Sequence, residues 1–106
     1  LTSLDLSNFD TSKVTNMGGM FNGCKNLTSL DLSSFDTSNV TTMGIMFNNA
    51  EKLKTIYVSD KWDTSNVTGS NDMFNWCISL VGAVPYDGSK TDVSMANYTN
   101  GYLTKK

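Results

Sequence analysis

The sequence predicts an α/β solenoid, in which short parallel strands line one side of a repeating chain and short helices or turns line the other. Three observations lead to this fold class: an internal repeat of roughly 26 residues, a strand-like alternation at the start of each repeat, and a helix-like spacing later in it. No single repeat can bury its own apolar residues, so each is expected to pack against its neighbours.

The repeat is visible when the residues are compared directly. Residues 1–26 and 27–52 are identical at 18 of 26 positions, and residues 53–79 form a third repeat with one extra residue. Residues 80–106 begin like a fourth repeat and then diverge. We therefore divide the chain into three leucine-rich-type repeats, residues 1–79, and a C-terminal capping segment that covers the apolar end of the array.

Each repeat opens with the pattern LxxLxL or a close variant of it. Leu30 and Leu32 alternate with polar residues, and Ile56 and Val58 take the same positions in the third repeat. A period of two is typical of a strand with one buried face. Strands stacked from successive repeats predict a parallel sheet on the concave face of a right-handed coil of the leucine-rich-repeat type.

A second pattern, MxxMFxxC, follows later in the repeat. Met43, Met46, Phe47 and Ala50 lie at positions i, i+3, i+4 and i+7, which is one face of a short helix or of a series of turns. Glycine within this segment, such as Gly44, lowers helix propensity. The sequence therefore predicts a short and irregular helical segment.

The linker between the two patterns carries an acidic residue in each repeat. Asp10, Asp36 and Asp63 are each followed by Thr-Ser, a composition that favours side-chain capping of turns. A row of carboxylates could alternatively bind calcium, but the glycine signature of known calcium loops is missing. We expect turn capping, and we predict no metal and no cofactor.

The two cysteines occupy the same repeat position, two repeats apart. Two strand spacings separate Cys24 from Cys77 by roughly 9–10 Å, whereas a disulfide needs Cα atoms within about 7 Å. The spacing predicts two free thiols that act as small apolar core residues.

The motif DTSxVTxMxxMF, present as DTSKVTNMGGMF and DTSNVTTMGIMF, resembles the BspA-type leucine-rich repeats of bacterial surface proteins. The resemblance covers essentially the whole chain, and the stretch from SLVGAVPYDGSK to GYLTKK resembles the segment that closes such arrays. It implies an extracellular protein, attached to the cell surface through parts of a longer parent protein. It also implies adhesion to a host or matrix protein or to a glycan.

Composition argues against several other functions. The chain has no histidine and no arginine, and its eight lysines are scattered, which disfavours both general-base catalysis and nucleic-acid binding. Neither cysteine has a histidine partner, and no phosphate-binding loop is present. No apolar run approaches the length of a membrane span. We predict a binding module without enzymatic activity.

The outward-facing residues of the strands are the candidate binding site, because a concave sheet is the usual binding surface of curved repeat proteins. Tyr57 replaces the aspartate of the first two repeats and could anchor a partner; ordinary solvated strand positions are the competing interpretation. The predicted set is Asp5, Ser7, Asp31, Ser33, Thr55 and Tyr57.

Three further expectations complete the prediction. The chain could instead be a structural spacer or stalk, or it could be the targeting domain of a larger secreted enzyme. The strand edge at Leu1–Ser7 has no covering segment, so self-association through this edge is also expected.

Overall fold

Strands from successive repeats form one parallel sheet in the computed structural model, which describes residue 6 and residues 8–106. The strands are β1 (Ser29–Asp31), β2 (Thr55–Val58) and β3 (Thr104–Lys105), in the order β1-β2-β3. A 3-10 helix spans Val93–Met95. Within the described residues, no helix is long and apolar enough to cross a membrane.

The register of the sheet follows the repeat. Leu30 pairs with Ile56, one repeat further along the chain, and both side chains are fully buried or nearly so. Their neighbours in β1 and β2 are only partly buried. The alternation at the start of each repeat therefore correctly predicted short parallel strands with one buried face.

The predicted fold class, an α/β solenoid with a right-handed leucine-rich-repeat-like coil, is wrong. The described residues contain no α-helix, and their regular structure is limited to three short parallel strands in an open sheet and one 3-10 helix. The predicted helical segment of each repeat consists of turns instead.

Backbone hydrogen bonding explains why these segments are not helical. The N–H groups of Met43, Ile45 and Phe47 donate to carbonyls of the following repeat, at 2.7–2.9 Å. The intervening N–H groups, including those of Met46 and Asn48, donate three residues back within their own repeat. An α-helix requires every N–H to donate four residues back, so this alternating pattern excludes it.

Backbone dihedral angles also exclude an α-helix in these turn segments. Ile45 and Asn49, four residues apart in the turn segment, have φ angles of 50° and 63°. The equivalent residues of the first repeat, Gly19 and Gly23, also have positive φ. A left-handed residue cannot continue a right-handed helix, so each turn segment is interrupted twice.

Aromatic side chains connect the repeats through the core. The ring of Phe47 lies between Phe21 and Phe74, with centroids 5.6 and 5.4 Å away and nearly parallel planes. Tyr102, from the C-terminal segment, packs edge-on against Phe74 at 5.2 Å. Apolar burial of this kind is the main stabilising contribution to the fold.

The C-terminal segment, residues 80–106, lies against the third repeat. The indole N–H of Trp62 donates to the Ala96 carbonyl at 3.0 Å, and the Phe74 N–H donates to the Thr91 carbonyl at 2.9 Å. Strand β3 extends the sheet beyond β2 through the register Tyr57 to Thr104. The predicted open edge at Leu1–Ser7 lies largely outside the described residues, apart from Leu6.

Candidate functional site

The outer face of the sheet brings part of the predicted site together. Asp31 pairs in register with Tyr57, and Tyr57 pairs with Thr104 of the C-terminal segment. Thr55 lies two residues before Tyr57 on the same face, opposite Ser29. All of these side chains are partly buried. The predicted site residues Asp5 and Ser7 lie outside the described residues.

A lysine of the chain itself engages the acidic group on this face. The Lys106 ammonium forms an ion pair with the Asp31 carboxylate, and its nitrogen lies 5.8 Å from the centre of the Tyr57 ring. The Ser33 N–H also donates to Asp31, at 2.9 Å. These hydrogen bonds, that of Lys106 above all, lower the pKa of Asp31 to about 2. The carboxylate is therefore ionised and already has a cationic partner.

A second lysine is held in the same way at the edge of the sheet. Lys105 forms an ion pair of 2.9 Å with Asp60, and the Tyr98 hydroxyl donates to the same carboxylate oxygen at 3.0 Å. The Lys105 nitrogen lies 5.5 Å from the centre of the Tyr98 ring. Lys105, the last residue of β3, and Lys106, which follows it, therefore each lie beside one carboxylate and one tyrosine. The two ion pairs hold β3 against the rest of the sheet and give each ammonium group a carboxylate partner.

The row of linker aspartates acts in turns. Asp10 and Asp36 each accept hydrogen bonds from the backbone N–H and the hydroxyl of the serine two residues later, at 2.7–3.0 Å. Asp63 accepts one from the Ser65 N–H at 2.8 Å. These bonds lower the pKa of all three carboxyls. In the described part of the chain, no three Asp, Glu, Cys or His residues are grouped so that they could hold a metal ion.

Both cysteines are free, as their repeat spacing predicts. Cys77 is fully buried, and its thiol lies 2.9 Å from the Phe47 carbonyl. Burial raises the pKa of Cys77 to about 12, so the thiol stays protonated at neutral pH. Cys24 is only half-buried. Cys77 therefore belongs to the core and is a poor nucleophile.

An exposed apolar edge on the third repeat was missed by the sequence analysis. Trp76 and Ile78 each keep 60% of their surface exposed, and Val81, at the start of the adjoining C-terminal segment, keeps 45%. The second repeat has Asn49 and Glu51 at the positions of Trp76 and Ile78. The signal in the sequence is a pair of apolar residues at positions that are polar in the second repeat. It lies in the turn segment, whereas the predicted binding surface is a strand face.

A groove runs beside this edge. It has a volume of about 210 Å³ and is lined by Asn75, Trp76, Ile78, Tyr86 and Gly88. Tyr86 is half-buried, and its ring packs 5.4 Å from the ring of Tyr102 in the core. Burial raises the pKa of Tyr86, while hydrogen bonds from the Trp76 and Cys77 backbone oppose that shift. The phenol is therefore neutral at neutral pH, and it lines the groove together with Trp76.

The backbone at Trp76 is unusual for a large side chain. Its φ angle is 63°, in the left-handed region, where the first two repeats have Gly23 and Asn49 at φ 78° and 63°. Glycine and asparagine tolerate this region, whereas other residues pay a conformational cost. Trp76 thus combines a strained backbone with a solvent-exposed indole, and such a combination is typical of functional positions.

Comparison with known proteins finds one protein family. Its model, described as "Mycoplasma protein of unknown function, DUF285", matches residues 1–102. No curated protein and no solved structure matches the chain.

Proposed function

The chain belongs to the DUF285 family of Mycoplasma proteins of unknown function, and we propose that it is a non-enzymatic binding module of a bacterial surface protein, acting in adhesion outside the cell. The match covers nearly all of the repeats and the C-terminal segment. The motif DTSxVTxMxxMF further supports a relation to BspA-type surface proteins.

One observation carries this proposal: the exposed apolar edge of the third repeat. Trp76 and Ile78 expose most of their surface to water, although the same positions in the second repeat are polar. Grouped apolar residues on a surface mark binding sites, and tryptophan is enriched among the residues that dominate binding energy. The proposed partner is a host or matrix protein or a glycan.

The charges and thiols support a binding module over the other classes. Lys105 and Lys106 are paired with carboxylates of the chain, so they are poorly placed to contact phosphates. The sequence has no histidine, and the Cys77 thiol is held in its unreactive, protonated form. Both points favour a role without catalysis.

The outer face of the sheet is the second candidate surface. Tyr57 is partly exposed there and stands where the first two repeats have aspartate. Against it stands the ion pair of Asp31 with Lys106, because a partner would have to displace Lys106 to reach the carboxylate. We therefore place the main contact at Trp76 and Ile78.

A binding screen against immobilised matrix proteins, mucins and glycans tests the proposal. The variant Trp76→Asn/Ile78→Glu carries the residue types of the second repeat at both positions, so it should keep the fold. We expect at least tenfold weaker binding than for the unchanged chain. The matched variant Asp31→Ala/Tyr57→Ala should bind normally.

Two other results of the binding screen would change the proposal. If only the sheet variant lost binding, the contact would lie on the outer face of the sheet. If the unchanged chain bound nothing in the screen, the proposal would fail in favour of a structural spacer or of a targeting domain for a larger secreted enzyme.

A further inference from the structure

We infer that the groove beside Trp76 holds a single uncharged sugar ring of a glycan. This inference rests on the proposed binding function and names the class of ligand for it. The groove has a volume of about 210 Å³, which is below the ~300–1,000 Å³ of pockets that hold drug-sized ligands. A groove of this size suits one ring and not an extended partner surface.

The lining has the two kinds of surface that a sugar ring needs. Trp76 and Tyr86 provide aromatic area for the face of the ring that carries only C–H groups. Asn75 provides an amide, which can donate to one hydroxyl and accept from another. Among the described residues, no side-chain hydrogen bond engages the Asn75 amide, so it is available to a ligand.

The lining of the groove favours a neutral ligand. Among the described residues that line it, none is charged. Asp87 lies between Tyr86 and Gly88 in the chain, but it lines a separate cavity together with Lys90. Covering an ionised carboxylate where no cation can pair with it costs free energy, so acidic sugars such as sialic acid should bind more weakly than neutral ones.

The position of Trp76 in the turn segment brings an aromatic residue to the groove. Trp76 has a left-handed backbone, with a φ angle of 63°, and lines the groove together with Tyr86. The equivalent residues of the first two repeats are glycine and asparagine, which carry no ring, so among the three repeats this aromatic surface belongs to the third alone.

The chain contains its own internal control for a binding measurement. Trp62 is the only other tryptophan, and its indole N–H is buried and bonded to the Ala96 carbonyl. In an NMR titration, the two indole N–H signals therefore report separately on the groove and on the core. The probes are methyl glycosides of glucose, galactose, mannose and N-acetylglucosamine, with sialic acid methyl glycoside as the anionic comparison.

We expect at least one neutral glycoside to shift the Trp76 signal to saturation, with a dissociation constant on the order of millimolar, as suits a ligand of this size. The Trp62 signal should not move, and the anionic glycoside should bind at least tenfold more weakly.

Asn75→Ala should weaken binding severalfold. In Trp76→Asn, resonances of Asn75 and Gly88 should no longer respond, while an unchanged Trp62 signal shows that the fold is intact. Thr64→Val, in the linker and outside the groove, should bind like the unchanged chain.

Two results would overturn the inference: no glycoside shifts Trp76, or Asn75 and Gly88 respond equally in the Trp76→Asn variant. The proposed function can survive either result. If a protein in the binding screen still required Trp76 and Ile78, the groove would accept a peptide side chain, and only the sugar would be excluded.

Discussion

The hydroxyl of Thr37 donates a 2.8 Å hydrogen bond to the Asp63 carbonyl and accepts one of 2.6 Å from the Asp63 N–H. Thr37 is fully buried, and Thr11 makes the same pair of bonds with Asp36. Each threonine thus satisfies both backbone polar groups of an aspartate in the next repeat. This contact joins consecutive repeats on the side of the linker.

Replacing Thr37 by valine should destabilise the chain markedly. The side chain keeps its shape and stays buried, but the N–H and carbonyl of Asp63 lose their partner at a part-buried contact. We expect the free energy of unfolding to fall by about 1–3 kcal/mol, measured by urea denaturation. Thr64→Val is the matched control, because within the described residues the Thr64 hydroxyl makes no hydrogen bond. Equal losses in the two variants would contradict the proposed contribution of this contact.

The ion pair of Asp31 with Lys106 should be visible in a pH titration. Since Lys106 makes the largest contribution to lowering the pKa of Asp31 to about 2, Lys106→Met should raise that pKa part of the way to the ordinary value of about 3.9, while the bonds from Ser33 keep it below that value. NMR of the carboxyl carbon follows the titration. The pKa of Asp10, which depends on Ser12, should stay unchanged. If the pKa of Asp31 were the same in Lys106→Met as in the unchanged chain, the lysine would not be the main partner of this carboxylate.

The same pair predicts how stability depends on pH. The folded-state pKa of Asp31 lies below its unfolded value, so its contribution is fully present above about pH 4 and is lost as the pH falls through about 2. The urea midpoint of Lys106→Met should therefore decline less over this range than that of the unchanged chain. A parallel decline in both would contradict the prediction.

The two cysteines should differ in reactivity. Because Cys77 is buried and its pKa is raised to about 12, alkylation by iodoacetamide at pH 8 should label Cys24 first in the folded chain. In denaturant both thiols should react at similar rates. Cys77→Ala, which places the residue of Ala50 at that position, should leave the early labelling unchanged. Mass spectrometry of digested samples gives the site of each label.

A methyl group at Gly101 should disrupt the C-terminal segment. A Cβ atom there would overlap the Met95 carbonyl oxygen, which the Tyr102 N–H also approaches at 2.8 Å. We expect Gly101→Ala to lower the free energy of unfolding by about 1–3 kcal/mol. In Gly88→Ala the nearest atom would be 3.9 Å away, on the flexible side chain of Tyr86, so that variant should be nearly neutral. Thermal denaturation of both would reveal the difference.

The sequence predicted which side chains are buried better than it predicted the backbone. Met43, Met46, Phe47 and Ala50 are all fully buried, as their spacing requires. The same spacing arises from successive three-residue turns, since periodicity reports which side chains share a face and not where each N–H donates. Left-handed residues such as Ile45 could not be foreseen, because isoleucine rarely adopts that conformation.

The candidate site was predictable only in part. The pairing of Asp31 with Tyr57 follows from the repeat, but nothing in the sequence placed Lys106 over them. Lys106 follows a strand of two residues in a segment that does not repeat. No repeat pattern therefore predicts which residues of the sheet it lies beside. The apolar edge at Trp76 was detectable, because it breaks the repeat at two exposed positions.

The direction of the hydrogen bonds between turn segments gives the array a chemical polarity. In each described pair of repeats, N–H groups of the earlier turn segment donate and carbonyls of the later one accept. Just before the turn segment the direction is reversed, because the N–H groups of Thr41 and Thr68 donate to carbonyls of the preceding repeat. Each repeat therefore presents a fixed pattern of donors and acceptors to its neighbour, and repeats can be joined in register in one orientation only. Duplication or excision of a whole repeat preserves this complementarity, whereas removal of half a repeat destroys it. Natural variation in the length of such chains should accordingly come in multiples of one repeat.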